Sequence, residues 1–334
     1  MIVPTKLCKN DTVFVTSPSC SMSIIATDVR EIAQDSFEAL GLKLKYSNHV
    51  EEHTDHINDS SSLESRLSDL HKAFQNHACN AIIPTIGGYN SNQLLSKLNY
   101  QLIGENPKIF CGYSDITALL NAIYAKTGLI TYYGPNFSSL GMKYGLDYTI
   151  EYLRKALMQS DPIVVEASHE YRDEPWYINQ EQVNFIKNDG MKVLQEGTSS
   201  GTILGGNLCT FVLLLGTQYM PHVPGDIILF LEEDESIKEY TANYVQRQLQ
   251  SLLHQNHLAE RLRGIVLGRF QRQSLIDDEK LRAIFDGLVD LPQDIPIIAN
   301  VDFGHTNPMF TFPIGGRCEL SASKSHIALV VSDK

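Results

Sequence analysis

Two periods of apolar and polar positions alternate along the first half of the chain. Thr12-Val13-Phe14-Val15-Thr16 is a β-branched and aromatic run closed by Ser17-Pro18-Ser19, which predicts a strand. Val29, Ile32, Ala33, Ser36, Phe37 and Leu40 then recur at helical spacing as far as Gly41, and Leu42 to Tyr46 resumes as a strand. Ser61 and Glu64 read as a capping box for a helix that shares Leu63, Leu67, Leu70 and Phe74 on one face. Asn80 to Ile86 is a third strand and runs straight into Gly87-Gly88-Tyr89-Asn90-Ser91-Asn92. The fourth, Lys108 to Gly112, meets Ile116, Leu119, Leu120, Ile123 and Tyr124 at helical spacing, with Gly128 as the stop. Strand and helix in strict alternation imply a parallel sheet covered on both faces, and ligands of such sheets gather at the carboxyl ends of the strands. Gly87-Gly88 and Ser114 both fall at those ends.

The second half repeats the pattern after an interruption. From about Asp161 to Ser200 periodicity is lost in a charged, aromatic segment containing Tyr171-Arg172-Asp173-Glu174-Pro175-Trp176-Tyr177. This predicts an N-terminal domain over 1–165, a connection over 166–200 and a C-terminal domain over 201–334. Within the last, Thr202 to Asn207 leads into an apolar helix over Leu208 to Leu215, and Gly225 to Leu231 is a strand ending in Glu232-Glu233-Asp234-Glu235. A helix with Tyr240, Tyr244, Leu249, Leu252 and Leu253 as its apolar positions follows. Gly264 to Phe270 and Ile295 to Val301 read as buried strands, the second delivering Asp302-Phe303-Gly304-His305-Thr306, and Arg317 to Val331 alternates like a hairpin.

Composition narrows the classes. The chain has 334 residues, 43% of them hydrophobic, enough for two cores and with no sign of a disordered tract. The N-terminus lacks a basic stretch followed by an apolar run, and no stretch reaches the length of a membrane span, so a cytoplasmic protein without a membrane partner is expected. Six cysteines (Cys8, Cys20, Cys79, Cys111, Cys209, Cys318) show no CxxC spacing, which argues against disulfides and a zinc knuckle. A net charge of -12 without a Lys/Arg cluster argues against polymeric nucleic acid. His53/His56 and His254/His257 have HxxH spacing but lack the frame of a metal helix, and no cofactor-binding loop or metal site is expected.

Ser114 sits where a strand turns into a helix. A serine there projects from the sheet edge, and the free N–H groups of the first helical turn can stabilise an oxyanion; the alternative is a plain helix cap. Acyl transfer by serine also needs a base, a carboxylate to orient it and preorganised donors. His305, on a glycine-flanked loop after an apolar strand, is a candidate base. Glu232 is the first carboxylate after a wholly apolar strand and should be the most buried of its run, whereas Glu233, Asp234 and Glu235 fit a solvated turn. Gly87-Gly88 permits a turn that aims N–H groups into a site. Cys111 lies three residues before the corner and should point into the sheet.

Taken in order, Gly112-Tyr113-Ser114-Asp115, Leu229-Phe230-Leu231-Glu232-Glu233 and Phe303-Gly304-His305-Thr306 resemble the signatures of the LD-carboxypeptidase family of serine peptidases, over nearly the whole chain. The resemblance implies Ser114 as nucleophile, His305 as general base and Glu232 as its orienting acid. It implies an oxyanion hole from the Asp115 N–H and Gly87-Gly88. It also implies a flavodoxin-like or class I glutamine amidotransferase-like N-terminal α/β domain, a smaller C-terminal α/β domain, a site between them and a homodimer. One branch of the family trims D-alanine from muropeptides; another resembles the microcin C self-immunity carboxypeptidase and cleaves peptidyl or aminoacyl-nucleotide conjugates. Ile86 to Asn92, Gly205-Gly206-Asn207 and the aromatic linker resemble the second branch. Tyr89, Asn90 and Asn207 are then expected substrate contacts, and Trp176 is either a platform for a base or an interdomain packing residue. A small peptide or aminoacyl-nucleotide is the expected partner. With His305 unperturbed, activity should fall below a pKa of about 6.5. A peptide- or nucleotide-binding protein without catalysis remains the reading from another class.

Overall fold

The first alternation folds as a twisted sheet in which β1 (Thr12–Thr16), β2 (Lys43–Tyr46), β3 (Ala81–Pro84), β4 (Ile109–Gly112) and β5 (Thr131–Tyr133) pair in parallel, in the order β5-β4-β3-β1-β2. The computed structural model describes residues 1–334 apart from the side chain of Asn256. Each crossover carries a helix: α1 (Thr27–Ala39), α2 (Leu63–Gln75), α3 (Tyr100–Glu105) and α4 (Thr117–Thr127), with α5 (Asp147–Met158) following β5. β3 and β4 are buried at every position, as strands covered on both faces must be. The cap of α2 is Ser62, whose hydroxyl accepts from Ser65 N–H at 3.1 Å; Ser61, the cap expected from the sequence, is buried one residue earlier. Two adjacent serines make the local signal ambiguous by one position.

The remaining strands are β6 (Ile163–Val164), β7 (Glu170–Tyr171), β8 (Ile186–Lys187), β9 (Lys192–Gln195), β10 (Gly197–Asn207), β11 (Ile227–Glu232), β12 (Leu262–Gly268), β13 (Ile297–Val301), β14 (Phe312–Ile314), β15 (Arg317–Ser323) and β16 (His326–Ser332). Eight form a second sheet in the order β6-β16-β15-β10-β11-β12-β13-β9, with β10 to β13 parallel; β7 and β8 pair alone. The expected division at 165 and 200 therefore differs from the structure at three places. β6 belongs to the second sheet, β9 inside the expected connection forms its far edge, and β14 returns to pair antiparallel with β5 of the first sheet. Hydrophobic pattern encodes a strand but not the edge it will join.

An aromatic seam draws β14 back. Phe312 stacks on Tyr133 at 4.9 Å and meets Phe230 at 4.8 Å, Phe303 at 5.2 Å and Phe310 at 5.3 Å, all of them fully buried. Burial of each ring contributes roughly 1.5–3 kcal/mol, so this cluster is a strong part of what holds the two sheets together. Polar bonds add register between α4 and β10: Asn121 Nδ2 donates to Gly205 O at 2.7 Å, and Asn207 N–H donates to Thr117 Oγ1 at 3.0 Å. The inner face of α7 (Thr241–Leu253, with α6 at Leu208–Phe211) is Val245, Leu249, Leu252 and Leu253. Tyr240 and Tyr244, expected among its apolar positions, are exposed, because a tyrosine on the outer face satisfies its hydroxyl in water. Among the described residues no helix is long and apolar enough to cross a membrane.

Candidate active site

The seam brings the carboxyl ends of β4 and β11 and the loop after β13 to one point. After Gly112 the backbone is extended at Tyr113 and then turns sharply at Ser114, whose φ of +62° lies in the left-handed region. A non-glycine residue there carries of order 1–3 kcal/mol of strain, which the turn over 114–116, buried at Asp115 and Ile116, and α4 behind it sustain. Ser114 Oγ lies 3.2 Å from His305 Nε2, and His305 Nδ1 lies 2.7 Å from Glu232 Oε2. Glu232 ends β11, with only 1% of its side chain exposed. Its second oxygen, Oε1, accepts from Tyr133 Oη at 2.8 Å and from Asn207 Nδ2 at 3.1 Å. Serine, imidazole and carboxylate thus stand in one hydrogen-bonded line. Such a line can take a proton from the hydroxyl and hold the imidazole in one tautomer.

Charge in the site favours the imidazolium. Burial by itself disfavours it, but the charge and hydrogen bond of Glu232, with Asp234 and Glu233 behind, outweigh burial and lift His305 to about 9. The basic form therefore grows as pH rises towards 9, above the value of an unperturbed histidine expected from sequence. Glu233 corrects another expectation. It is buried rather than solvated, and burial, then the charges of Glu232 and Asp234, raise its carboxyl to about 7. It accepts from Cys209 N–H at 2.9 Å and Asp234 N–H at 3.2 Å, and shares Asn207 Nδ2 at 3.3 Å. Asp234 and Glu235 are half-buried.

On the other side of Ser114 lies the loop after β3. A Cβ built on Gly87 would fall 2.9 Å from Ser114 Oγ and 3.7 Å from Asp115 N, so the Gly87 backbone lies against the Ser114 hydroxyl on the side of that amide. At Gly88 a Cβ would stand 2.3 Å from Ser19 Oγ. The Asp115 side chain ties these loops down, accepting from Ser19 Oγ at 2.6 Å and Ser91 N–H at 2.8 Å. Beneath them the buried Arg66 donates to Pro18 O at 3.3 Å, Asn90 O at 3.1 Å and Gln93 Oε1 at 2.7 Å. Cys111 is wholly buried in β4, where burial pushes its thiol far up.

Two expected substrate contacts, Asn90 and Asn207, brace the frame of the site. Asn90 is buried and donates through Nδ2 to Ser60 Oγ at 2.8 Å. Asn207 is buried too, its amide fixed between Glu232, Glu233 and the N–H and hydroxyl of Thr210. Asparagine suits both ends of such a network, and its neighbours in sequence do not say whether it faces a cleft. Tyr89, by contrast, is 77% exposed. Trp176 is half-buried on the linker, edge-on to Tyr177 at 5.9 Å. Tyr133 and Arg66 escaped the sequence reading. The only signal for Tyr133 was a tyrosine at the carboxyl end of an apolar strand.

Fold and site define a serine-type carboxypeptidase hydrolase. The chain belongs to the LD-carboxypeptidase family: residues 13–134 match its N-terminal domain and residues 200–320 its C-terminal domain. YocD of Bacillus subtilis is 45% identical over 317 residues, 95% of either chain. The microcin C7 self-immunity protein MccF of Escherichia coli is 32% identical over 283 residues, 81% of this chain and 79% of that one. A murein tetrapeptide carboxypeptidase of Pseudomonas aeruginosa is 28% identical over 307 residues, 90% of this chain and 91% of its own. Among solved structures, an MccF-like protein from Bacillus anthracis superposes with a TM-score of 0.97 at 47% identity over 100% of both chains. MccF in complex with aspartyl sulfamoyl adenosine superposes with a TM-score of 0.86 at 29% identity, covering 100% of this chain and 99% of that one.

Proposed function

We propose that the protein is a metal-independent serine carboxypeptidase that hydrolyses the terminal amide of peptidyl or aminoacyl-nucleotide conjugates. The observation that carries the reading is the line Ser114 Oγ, His305, Glu232, with spacings of 3.2 and 2.7 Å, set on a strained corner. Neutral His305 takes the Ser114 proton through Nε2 as Oγ attacks the carbonyl carbon. The oxyanion is received by the Asp115 N–H together with the Gly87-Gly88 backbone. As the C–N bond breaks, the imidazolium returns its proton to the departing nitrogen, leaving an acyl-serine. Water, deprotonated by His305, then releases the acid and restores Ser114. Glu232 holds Nδ1 throughout.

The substrate class is supported by MccF, a relative solved with an aminoacyl sulfamoyl nucleoside, and by the aromatic linker, where Trp176 and Tyr177 offer rings for a base. A second reading, release of D-alanine from a muropeptide tetrapeptide, is supported by the murein tetrapeptide carboxypeptidase relative. Hydrolysis of both substrates is compared side by side, with the Ser114→Ala protein as control. Release of the nucleotide moiety by the wild type and not by the variant is the expected result. Release of D-alanine alone moves the protein to the second reading, and near-normal activity in Ser114→Ala rejects the nucleophile. A folded protein that cleaves neither would be a binding protein.

A further inference from the structure

The acid and the nucleophile of this site stand on different sheets, and one side chain spans them. Tyr133 ends β5, where its register partner in β4 is Gly112, two residues before Ser114. Its ring is fully buried, stacked on Phe312 at 4.9 Å and edge-on to Tyr113 at 6.2 Å and to Phe303 at 6.1 Å. From there the hydroxyl crosses the seam and donates to Glu232 Oε1 at 2.8 Å. The strand pair that launches the nucleophile is therefore rooted directly in the acid.

The second sheet makes room for this reach. At Gly206, φ is +121°, and a Cβ there would fall 2.8 Å from Tyr133 Cε2 and 2.6 Å from Thr117 Oγ1. Only glycine tolerates both the backbone conformation and the approach. Gly206 precedes Asn207, whose Nδ2 is the other donor to Oε1. Two donors from two sheets thus converge on one carboxylate oxygen. They leave Oε2 for His305 and prevent the carboxylate from turning. Burial and the neighbouring Glu232 hold the phenol well above its ordinary value, so it remains a donor through the working pH range.

We propose that Tyr133 is a positioning residue for the reaction: its hydroxyl fixes the rotation and tempers the charge of Glu232, and Gly206 is the clearance that allows it. The inference rests on the reading of Ser114, His305 and Glu232 as a triad. Tyr133 touches none of the reacting atoms; the proposed effect acts through Glu232, while the phenol oxygen also faces the Ser114 backbone N–H.

Tyr133→Phe keeps the ring and removes the donor. The expected result is a fall in kcat of about 10- to 100-fold, the equivalent of one hydrogen bond to a charged group, with KM little changed. The inflection of kcat/KM against pH should move to higher pH, because a carboxylate with one donor fewer holds the imidazolium more strongly. On a Glu232→Gln background the Tyr133→Phe change should lower activity no further. A tyrosine that merely fills the seam would reduce stability, leave the inflection in place and add its loss to that of Glu232→Gln. That pattern, or a kcat within twofold of the wild type, overturns the proposal. If Tyr133→Phe does not fold, 3-fluorotyrosine at position 133 supplies a stronger donor of nearly the same shape. It should move the inflection to lower pH, and an unmoved inflection overturns the proposal. Ser114→Ala separates the two levels. Activity in that variant rejects the triad, whereas an inactive Ser114→Ala beside an unaffected Tyr133→Phe rejects only the role of Tyr133.

Discussion

Replacing Glu232 by glutamine changes one atom of the site and should silence it by a route the hydrogen bonds dictate. Oε1 of Glu232 receives two donors, Tyr133 Oη at 2.8 Å and Asn207 Nδ2 at 3.1 Å. A tyrosine hydroxyl can rotate and accept instead, but Asn207 cannot turn its amide. Its Oδ1 is held by Thr210 N–H at 3.1 Å, Thr210 Oγ1 at 2.8 Å and Cys209 Sγ at 3.0 Å. Glutamine must therefore place its carbonyl oxygen at the Oε1 position, since the opposite choice leaves buried groups unsatisfied at about 1–3 kcal/mol each. Its NH2 then faces His305 Nδ1 and forces that nitrogen to accept. The remaining ring proton moves to Nε2, pointing at Ser114 Oγ, and the imidazole can no longer take the serine proton. Loss of the carboxylate also leaves burial as the main influence on His305, which should fall from about 9 to below the ordinary value of about 6.5. That difference corresponds to about 3 kcal/mol at roughly 1.4 kcal/mol per unit.

The assay is kcat and kcat/KM for Glu232→Gln from pH 5 to about 10 on whichever conjugate the wild type cleaves, with the His305 ring titration followed by NMR. The expected outcome is a loss of kcat of roughly 10³- to 10⁴-fold, the scale of the corresponding amide substitution in serine proteases, together with an imidazole that titrates more than 2 units lower. A variant that keeps activity within tenfold, with its inflection unmoved, would refute the argument that the donors to Oε1 fix the tautomer.

Three further outcomes follow from the same geometry. The pair formed by His305 and Glu232 stabilises the fold fully below the unfolded histidine value of about 6.5, and this contribution is lost as pH rises through about 9. Urea unfolding should show up to about 3 kcal/mol less stability at the alkaline end, and a flat profile in Glu232→Gln identifies the source. Gly87→Ala places a methyl 2.9 Å from Ser114 Oγ, so activity should fall at least tenfold while the melting temperature moves by only a few degrees; an unaffected rate would mean that the Gly87 backbone does not line the reacting position. Asn90→Ala removes a buried bond to Ser60 and should cost about 1–2 kcal/mol of stability with KM unchanged; a raised KM in a fully stable protein would restore Asn90 as a substrate contact.

Much of the plan was legible from the chain alone, because strand and helix periods and glycine stops are local properties. Ser114, Glu232 and His305 each follow a short apolar run, and a residue just past a buried strand must emerge at the sheet edge where sites form. Their chemical types were therefore informative before any contact was known. What the chain could not disclose was how groups far apart in sequence pair. Glu233 is one residue from Glu232 and equally acidic, yet it is buried on Cys209 N–H and Asn207. Asn90 and Asn207 have the composition of ligand contacts and spend their amides on the frame. β14 lies between two strands of the C-terminal half and pairs with β5. Each of these outcomes is set by long-range packing: the bond from His305 to Ser114 spans 191 positions and that from Tyr133 to Glu232 spans 99. Sequence alone determined the elements and the sheet-edge residues that can do chemistry. The tertiary structure decided which of them share protons, because a hydrogen bond depends on tenths of an ångström that only the closed aromatic seam between the two sheets defines.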